Sequence, residues 1–392
     1  MWPLMTIFSN PVRLAFCSIA IFATTGIYLP FWPVWLAAQG ITPAGIGMLV
    51  AMGYFIRILA VPAFSYVADR IGDRRAPFIW LSLVQFVAMS AFWLADGFWA
   101  IALVTVIETA AWSPLIPLKE SLTMGWVTAK GYDYGRIRLW GSLSFIVLSV
   151  AGGMTLSSFG SDAILISLMG LSLVLILSGF LLPPDPRKGA REGQAKVSMQ
   201  SVRALVSTPS FLLFLLAASA TMSSHAVYYA FGTLNWQALG YSNSFIGGLW
   251  ALGVVAEIAL FAWSSRFVRH LSPPILIIIG SLAAIARWSL TAIDPHWGLL
   301  ILLQCLHALT FGATHLGVMH YIARAVPTEL SATAQGLYAA VGGGIFMGLV
   351  MLTAGATYEA IGAYAYLPMA GLGTVGLTAA FFLRRRWRID QI

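Results

Sequence analysis

Ionisable side chains occur inside stretches of the sequence that are otherwise apolar. Glu257 stands in ALGVVAEIALF, Arg287 in AIARWSL and His307 in QCLHALTFGATH. A charge at the centre of a bilayer costs about 2.5 kcal/mol or more, so such groups normally face a cavity and a partner. A carboxylate and an imidazole beside a guanidinium can bind and release a proton near neutral pH. We therefore predict a proton-coupling unit of Glu257, Arg287 and His307.

Alternatives remain open for these groups. They could form a static polar lock between helices, and a carried proton could reside on Glu257 or on His307. His315 and His320 more often bond only to backbone carbonyls. The acids and histidines lack H-E-x-x-H or other metal-ligand spacing. We therefore expect neither an enzyme nor a cofactor besides the proton, and the sequence offers no soluble signalling domain for a receptor.

A second group of charges lies in PLKESLTMGWVTAKGYDYGRIRLWGSLSF, residues 117–145. Glu120 and Arg138 flank a short loop, so antiparallel neighbouring helices can bring them together as an ion pair. The alternative is two interfacial charges that snorkel to water. Lys119 is close enough to the inner surface to do the same. Arg57 and Glu108 also lie within apolar segments, and we predict that Glu120, Arg138 and Arg57 contact substrate.

Aromatic residues in the same helices could hold a ring of the substrate. The candidates are Tyr28, Phe31, Phe145, Tyr228 and Phe231. Trp32, Trp35, Trp99, Trp236 and Trp297 are expected first as an interfacial belt. The charges inside the apolar segments balance to neutral or slightly positive, and protonation of a carboxylate would leave a net cationic cavity. Arginine is the natural bidentate partner of a carboxylate, so we expect a small organic anion as substrate.

The elements that position these residues are membrane spans. The chain has 392 residues, is 59% hydrophobic and only 9% charged, which excludes a soluble globular domain. Apolar stretches of about 20 residues, enough to cross a ~30 Å hydrocarbon layer, recur throughout. They predict an all-α membrane protein with twelve spans: 12–37, 43–67, 76–95, 98–126, 135–158, 162–182, 208–237, 243–267, 273–293, 297–322, 329–356 and 362–384.

Basic residues set the expected orientation. Of the 22 Lys and Arg residues, all except Arg57, Lys119, Arg138 and Arg287 fall in alternate loops and tails on one side. The opposite loops carry only acidic charges. The positive-inside rule therefore predicts that both termini are cytoplasmic. The net charge of +8 is explained by this topology and by anionic lipid, so no nucleic-acid partner is expected.

The two halves of the chain are copies. The polar stretch 183–209 is rich in Pro, Gly and charge, which is typical of a linker. At an offset of 200 residues Tyr28 aligns with Tyr228, and three pairs of glycines also align. The same offset places Arg57 opposite Glu257. We predict an N-terminal six-helix bundle at 1–182, a cytoplasmic linker at 183–207 and a C-terminal six-helix bundle at 208–392. Such repeats are typical of alternating-access transporters with a site near the midplane.

The loop SYVADRIGDRR, 65–75, resembles the signature of the major facilitator superfamily through Asp69, Arg70, Gly72, Arg74 and Arg75. Ser65 and Asp73 depart from that pattern. The resemblance implies a loop that latches the cytoplasmic helix ends without touching substrate. The alternative is a solvated turn that only sets topology.

A sharper resemblance is to the lactose permease family of the same superfamily, through Glu120 with GRIRLWG and through the order Glu257, Arg287, His307. Two residues depart from this pattern. Thr310 stands where that family has its main proton-carrying Glu, and Phe145 stands where it has a Trp that stacks on the sugar. The motifs GIYLPFWPVWL, DYGRIRLWGS, LNWQALGYS, LGVVAEI, ARW and LH resemble the phenyl propionate permease family along nearly the whole chain. This implies a proton symporter that takes up a small aromatic monocarboxylate such as 3-phenylpropionate. We expect a monomer in a bacterial inner membrane. A neutral sugar or nucleoside is the alternative substrate.

Overall fold

The computed structural model describes residues 9–186, 199–267 and 270–389, and within these ranges it is helical without strands. The predicted all-α class is confirmed. The helices are α1 Asn10–Ala38, α2 Pro43–Ile71, α3 Arg75–Ala91, α4 Gly97–Trp112, α5 Leu115–Lys130, α6 Tyr134–Phe159, α7 Asp162–Leu181, α8 Met199–Ser207, α9 Pro209–Ser223, α10 Ala226–Ala238, α11 Asn243–Phe267, α12 Pro273–Thr291, α13 Trp297–Cys305, α14 Thr314–Ala325, α15 Ser331–Ala340, α16 Met347–Ile361 and α17 Tyr366–Ile389.

Eleven helical runs in the described ranges are long and apolar enough to cross a membrane. The last run, Thr328–Trp387, has 60 residues, and Gly362 interrupts it with a φ of 57°. Glycine suits this left-handed conformation because it has no Cβ. The break separates α16 from α17, so each of the twelve predicted spans has a helical counterpart. The observed helices extend past several predicted ends because apolar composition marks the bilayer core and not the end of the helix.

Several membrane runs are not continuous α-helix. Ser113 and Pro114 separate α4 from α5, where proline removes a backbone donor. Ser224 and His225 separate α9 from α10. A π-helical turn, Ala308–Ala313, joins α13 to α14, and a second one, Val341–Phe346, joins α15 to α16. Such turns occur frequently at functional sites.

The chain divides into two compact units. The N-terminal unit comprises the described part of Met1–Glu192 together with Trp236–Ala251. The C-terminal unit comprises the described part of Gly193–Asn235 together with Leu252–Ile392. The end of α10 and the start of α11 are grouped with the N-terminal unit because α11 lies close to α6. A Cβ on Gly153 would collide with the backbone of Asn243, and one on Gly247 with that of Ser149.

In the N-terminal unit α1 packs along α6 and α7. Gly26 allows the close approach of α1 and α6, since a Cβ there would lie 2.8 Å from the carbonyl oxygen of Phe145. Ser149 donates a hydrogen bond of 3.1 Å to the Gly26 carbonyl across the same contact. The apolar core of this unit includes Leu14, Ile21, Phe78, Leu115 and Leu175.

In the C-terminal unit α12 packs along α17 and α9. Thr221 of α9 and Ser281 of α12 share a hydrogen bond of 2.8 Å. The apolar core includes Phe214, which stacks on Tyr321 with ring centroids 4.1 Å apart. This packing fixes α12, which carries Arg287.

The predicted tryptophan belt is only partly correct. Trp99 and Trp297 are 81% and 51% exposed, as an interfacial position requires. Trp32 and Trp35 are each 2% exposed, and Trp236 is 1% exposed. Trp32 stacks on Trp35 with centroids 4.7 Å apart. The belt prediction is wrong for these three because packing inside the protein, and not the interface, holds their rings.

Candidate functional site

A buried polar cluster in the C-terminal unit is built around Arg287 of α12, whose side chain is fully buried. Its Nη1 donates to Thr310 Oγ1 at 3.1 Å and lies 3.3 Å from His307 Nδ1, while Nη2 donates to Gln304 Oε1 at 3.0 Å. No carboxylate of the described residues is close enough to form an ion pair with this guanidinium. Neutral acceptors therefore hold the charge.

Aromatic rings complete the surroundings of Arg287. Its guanidinium carbon lies 4.7 Å from the ring centre of Tyr228 and 4.5 Å from that of Trp288. Such cation–π contacts favour a desolvated cation. Nε of Arg287 is buried without a hydrogen-bond partner in the described ranges. The site therefore orients the cation without neutralising it.

His307 connects the arginine to the predicted carboxylate. Its Nδ1 faces Arg287, and its Nε2 lies 3.7 Å from Glu257 Oε2. The side chain of His307 is 11% exposed and that of Glu257 is 20% exposed. The structure thus places the three predicted coupling residues in one line, Glu257–His307–Arg287. A proton taken up by Glu257 would change the charge seen by the imidazole.

Two further members of this cluster, His225 and Gln304, were not predicted, and Thr310 was noted only as a departure from the lactose permease pattern. His225 is fully buried, and its Nε2 lies 3.0 Å from Thr310 Oγ1 while its Nδ1 lies 3.0 Å from the Met222 carbonyl oxygen. Gln304 accepts from Arg287 and also, at 3.2 Å, from the Tyr228 hydroxyl. Gln304, His307 and Thr310 recur every three residues, and that spacing on one helix face was an available signal.

The second predicted group lies in the N-terminal unit, where the structure brings Glu120 of α5 and Arg138 of α6 together. Glu120 Oε1 lies 3.9 Å from Arg138 Nε and 3.2 Å from Lys119 Nζ. The side chain of Lys119 is only 1% exposed. The prediction that Lys119 can reach water at the inner surface is therefore wrong, because this side chain turns inward to Glu120. One carboxylate is shared by two cations.

Arg138 is held by its aromatic neighbour. Its guanidinium carbon lies 3.8 Å from the ring centre of Phe22, and Nη1 donates to Ser142 at 3.4 Å. Gly141 makes room for this stacking, since a Cβ there would be 2.7 Å from the Phe22 ring. The arginine side chain is still 34% exposed. Its guanidinium can therefore contact a ligand without a change in the position of the side chain.

The other predicted charges do not join these clusters. Arg57 of α2 is exposed and forms no ion pair with the described residues. Glu108 of α4 is 3% exposed and lies beside Gln85 of α3. Neither residue belongs to the Glu120–Arg138 pair.

The rings proposed for stacking on a ligand have different environments. Phe31 and Phe231 are fully buried, Phe145 is 6% exposed and Tyr228 is 2% exposed. Phe231 stacks on Tyr358 with centroids 4.5 Å apart, and Phe31 fills the space beside Gly152. Only Tyr28 is partly exposed, and it stacks on Trp32. Most of these rings therefore contribute to the packing of their own unit.

The loop between α2 and α3 is built around Gly72, whose φ of 70° ends α2. Arg74 donates to Asp69 Oδ1 at 2.8 Å, to Ser121 at 2.8 Å and to the buried Asp185 at 3.1 Å. Arg75 donates to the Phe180 carbonyl at 2.6 Å, and Arg70 is exposed. The loop thus ties α2 to α5 and to the segment after α7.

The predicted linker falls in three parts. Pro184 accepts a hydrogen bond of 3.1 Å from the Trp126 indole, and Asp185 is held by Arg74, so its first residues are fixed to the N-terminal unit. Residues 187–198 lie outside the described residues, together with the basic side chains predicted there and Arg269. Its last residues form α8.

Comparison with known proteins identifies this architecture. A family model described as the MFS_1 like family matches residues 12–367. The chain belongs to the MFS_1 like family. The predicted membership in the major facilitator superfamily is confirmed. The chain is therefore a membrane transporter of a small molecule, and not an enzyme.

Relatives and solved structures agree with the MFS_1 like assignment. A protein of Escherichia coli (strain K12) named "Probable 3-phenylpropionic acid transporter" is 34% identical over 367 residues, covering 92% of this chain and 93% of that protein. The maltose permease of Geobacillus stearothermophilus is 27% identical over 377 residues, covering 94% and 93%. The crystal structure of the nucleoside transporter NupG (D323A mutant) superposes with a TM-score of 0.85 at 18% identity, covering 96% of this chain and 100% of that one. At this identity the last match shows the fold alone.

Proposed function

We propose that the protein is a proton-coupled symporter that takes up a small aromatic monocarboxylate, such as 3-phenylpropionate, by alternating access. The observation that carries this proposal is the line Glu257–His307–Arg287, with distances of 3.7 Å and 3.3 Å. A carboxylate and an imidazole beside an un-neutralised buried arginine form a proton-binding unit. Protonation on one face of the membrane and release on the other would couple uptake to the proton gradient.

The charge of the Glu120 group supports an anionic substrate. Lys119 and Arg138 share one carboxylate, so the group keeps a net positive charge when all three are ionised. The partly exposed guanidinium of Arg138 can offer two parallel donors to a substrate carboxylate. The name of the Escherichia coli relative supports an aromatic acid as that substrate. In this proposal Tyr28 and Arg57, which are not enclosed, also face the ligand.

A neutral polar solute is the second candidate. Glu120 Oε2 is buried and has no hydrogen-bond partner in the described ranges, and a sugar or nucleoside hydroxyl would satisfy it. The similarity to a maltose permease supports this candidate. The two candidates differ in whether the substrate carries the negative charge.

The setting of this activity is also part of the proposal. The asymmetry of Lys and Arg supports cytoplasmic termini in a bacterial inner membrane. The loop of Asp69, Arg70, Gly72, Arg74 and Arg75 would latch the cytoplasmic ends of helices during the cycle. We propose a monomer as the working unit, because each chain carries both charge clusters.

The deciding experiment is uptake of labelled 3-phenylpropionate by proteoliposomes, with and without an imposed gradient that is alkaline inside. A weak aromatic acid also crosses lipid in its neutral form, so protein-free liposomes and Arg138→Leu proteoliposomes are the matched controls. We expect gradient-driven uptake above both controls that an ionophore abolishes. Uptake without gradient dependence would overturn the symport. Gradient-driven uptake of labelled maltose or uridine, with none of labelled 3-phenylpropionate, would favour the neutral-solute candidate.

A further inference from the structure

Glu108 lies in the interior of the N-terminal unit, apart from the Glu120 group. It is 3% exposed on α4, and its neighbour Gln85 on α3 is fully buried. Gln85 Nε2 is 3.5 Å from Glu108 Oε1, and Thr109 Oγ1 is 3.4 Å from Oε2. These are the hydrogen-bond partners of the carboxyl group in the described residues.

No cation of the described residues balances Glu108. On α2, Arg57 is exposed and forms no ion pair with any of them, while on α5 Lys119 bonds to Glu120 instead. On α3 the facing side chain is the neutral Gln85. Tyr28 of α1 is the titratable side chain within electrostatic reach. An ionised carboxylate that is buried without a cation is costly, and such a group usually takes up a proton instead.

The hydrogen bonds of Glu108 also fit a neutral acid. Hydrogen bonds to an ionised carboxylate are short, about 2.7–2.9 Å from a charged nitrogen donor and about 2.5–2.7 Å from a hydroxyl. The bonds from Gln85 and Thr109 are longer, at 3.5 and 3.4 Å. The oxygen of the Gln85 amide is buried and lacks a partner in the described ranges. A half-turn of that amide would direct its oxygen at Glu108, where a carboxylic O–H would satisfy it. A carboxylate could not, because it only accepts.

We propose that Glu108 is a proton-binding site held as a neutral carboxylic acid that donates to Gln85. Unlike Glu257, which faces the imidazole of His307, Glu108 faces a neutral amide. This inference adds a second proton-binding residue to the proposed symport. Only the use of that proton in transport rests on the proposed function. The bound proton itself can be detected without substrate.

The test is infrared difference spectroscopy of the carbonyl stretch of purified full-length protein in detergent at neutral pH. We expect Glu108→Gln to remove a protonated-carboxyl band equal to one carboxyl group per chain. Gln85→Leu should shift the same band to higher frequency, because the hydrogen bond to the acid is lost. Glu120→Gln is the matched control and should leave the band in place, since Glu120 is paired with two cations.

Folding is checked by thermal melting, and Glu108→Gln should melt close to wild type because glutamine is a neutral isostere. A Glu108→Gln spectrum identical to wild type would overturn the inference, as would a band that Gln85→Leu leaves unmoved. The two proposals fail separately. The Glu108 band without gradient-driven uptake would reject the symport alone, and gradient-driven uptake without the band would reject this site alone.

Discussion

Two arginines of this transporter lie inside membrane helices and have opposite environments. Arg138 in the N-terminal unit is 34% exposed and shares a carboxylate with Lys119. Arg287 in the C-terminal unit is fully buried, and in the described residues the uncharged Thr310 and Gln304 accept its hydrogen bonds. An exposed ion pair is worth about 0–1 kcal/mol, so Arg138 can exchange its partner at little cost. The buried Arg287 cannot exchange its partners at little cost, because a buried charge left without them is strongly destabilising.

The difference indicates a division of work. In the proposed function a substrate carboxylate replaces Glu120, whose Oε1 lies 3.9 Å from Arg138 Nε. Arg287 is oriented by Gln304, Thr310 and His307 and stays in place, so its influence on Glu257 must pass through the imidazole. Substitutions at the two arginines should therefore have effects of different kinds and sizes.

The largest expected effect follows the loss of the buried charge. Arg287→Met should lower gradient-driven uptake about 100-fold, which corresponds to ~3 kcal/mol, because the imidazole loses its cationic neighbour. Arg287→Lys keeps the charge without the planar fork of donors and should lower uptake about tenfold. Initial rates in proteoliposomes provide the measurement, and melting curves check the fold. Wild-type uptake by Arg287→Met would contradict the role of the buried cation.

Glu257→Gln should uncouple the transporter without stopping it. Because glutamine cannot release a proton, the variant should exchange substrate across the membrane but accumulate it only to a ratio of about one. The measurements are counterflow and gradient-driven accumulation. His307→Asn is the matched variant. The variant that loses accumulation but keeps exchange identifies the residue that carries the proton. Accumulation at the wild-type level in Glu257→Gln would rule out coupling at this residue.

The sequence predicted the members of the C-terminal line because charged residues are conspicuous in apolar runs and because the helical rise fixes their depth. Glu257, Arg287 and His307 could be placed together in this way. Gln304 could not be placed in this way, since uncharged polar residues are common in such helices, and Thr310 was noted only as a departure from the lactose permease pattern. His225 was not predicted as a member of this cluster, because the apolar composition of the run does not indicate the break between α9 and α10 at which it lies.

The direction in which a side chain points was harder to predict than its depth in the membrane. Lys119 was expected to reach water from its distance to the helix end, but that distance says nothing about which way the side chain turns. It turns to Glu120 and is 1% exposed. Trp32, Trp35 and Trp236 were assigned to the interface by type, while packing between helices decides where they lie. Helix contacts set both outcomes, and a single sequence does not specify them.

A smaller effect is expected at the partly exposed Arg138, and mainly on affinity. Arg138→Leu should raise the half-saturation concentration about 30-fold, or ~2 kcal/mol, because a charged hydrogen bond to the substrate is lost. Arg138→Lys should raise it about fivefold, since lysine keeps the charge without the fork. The ratio of accumulated to external substrate at saturation should stay at the wild-type value in the lysine variant. Lost coupling with unchanged affinity would reverse the division between the two arginines.

The smallest effect is expected at the loop between α2 and α3, where an exposed and a buried carboxylate share one arginine. The side chain of Asp69 is 46% exposed and that of Asp185 is 0% exposed, and both accept from Arg74. An exposed pair contributes about 0.2–1 kcal/mol, so Asp69→Asn should slow transport at most about fivefold. Substrate binding should be unchanged, because the loop does not belong to either charge cluster.

Asp185→Asn is the matched variant and should slow transport more, because the buried carboxylate accepts from both the backbone and the side chain of Arg74. Equilibrium binding and initial rates of uptake, measured on the same preparations, separate the two effects. Loss of binding in Asp69→Asn would contradict a latch and place this loop in the substrate path. Equal slowing in both variants would show that burial does not distinguish the two partners of Arg74.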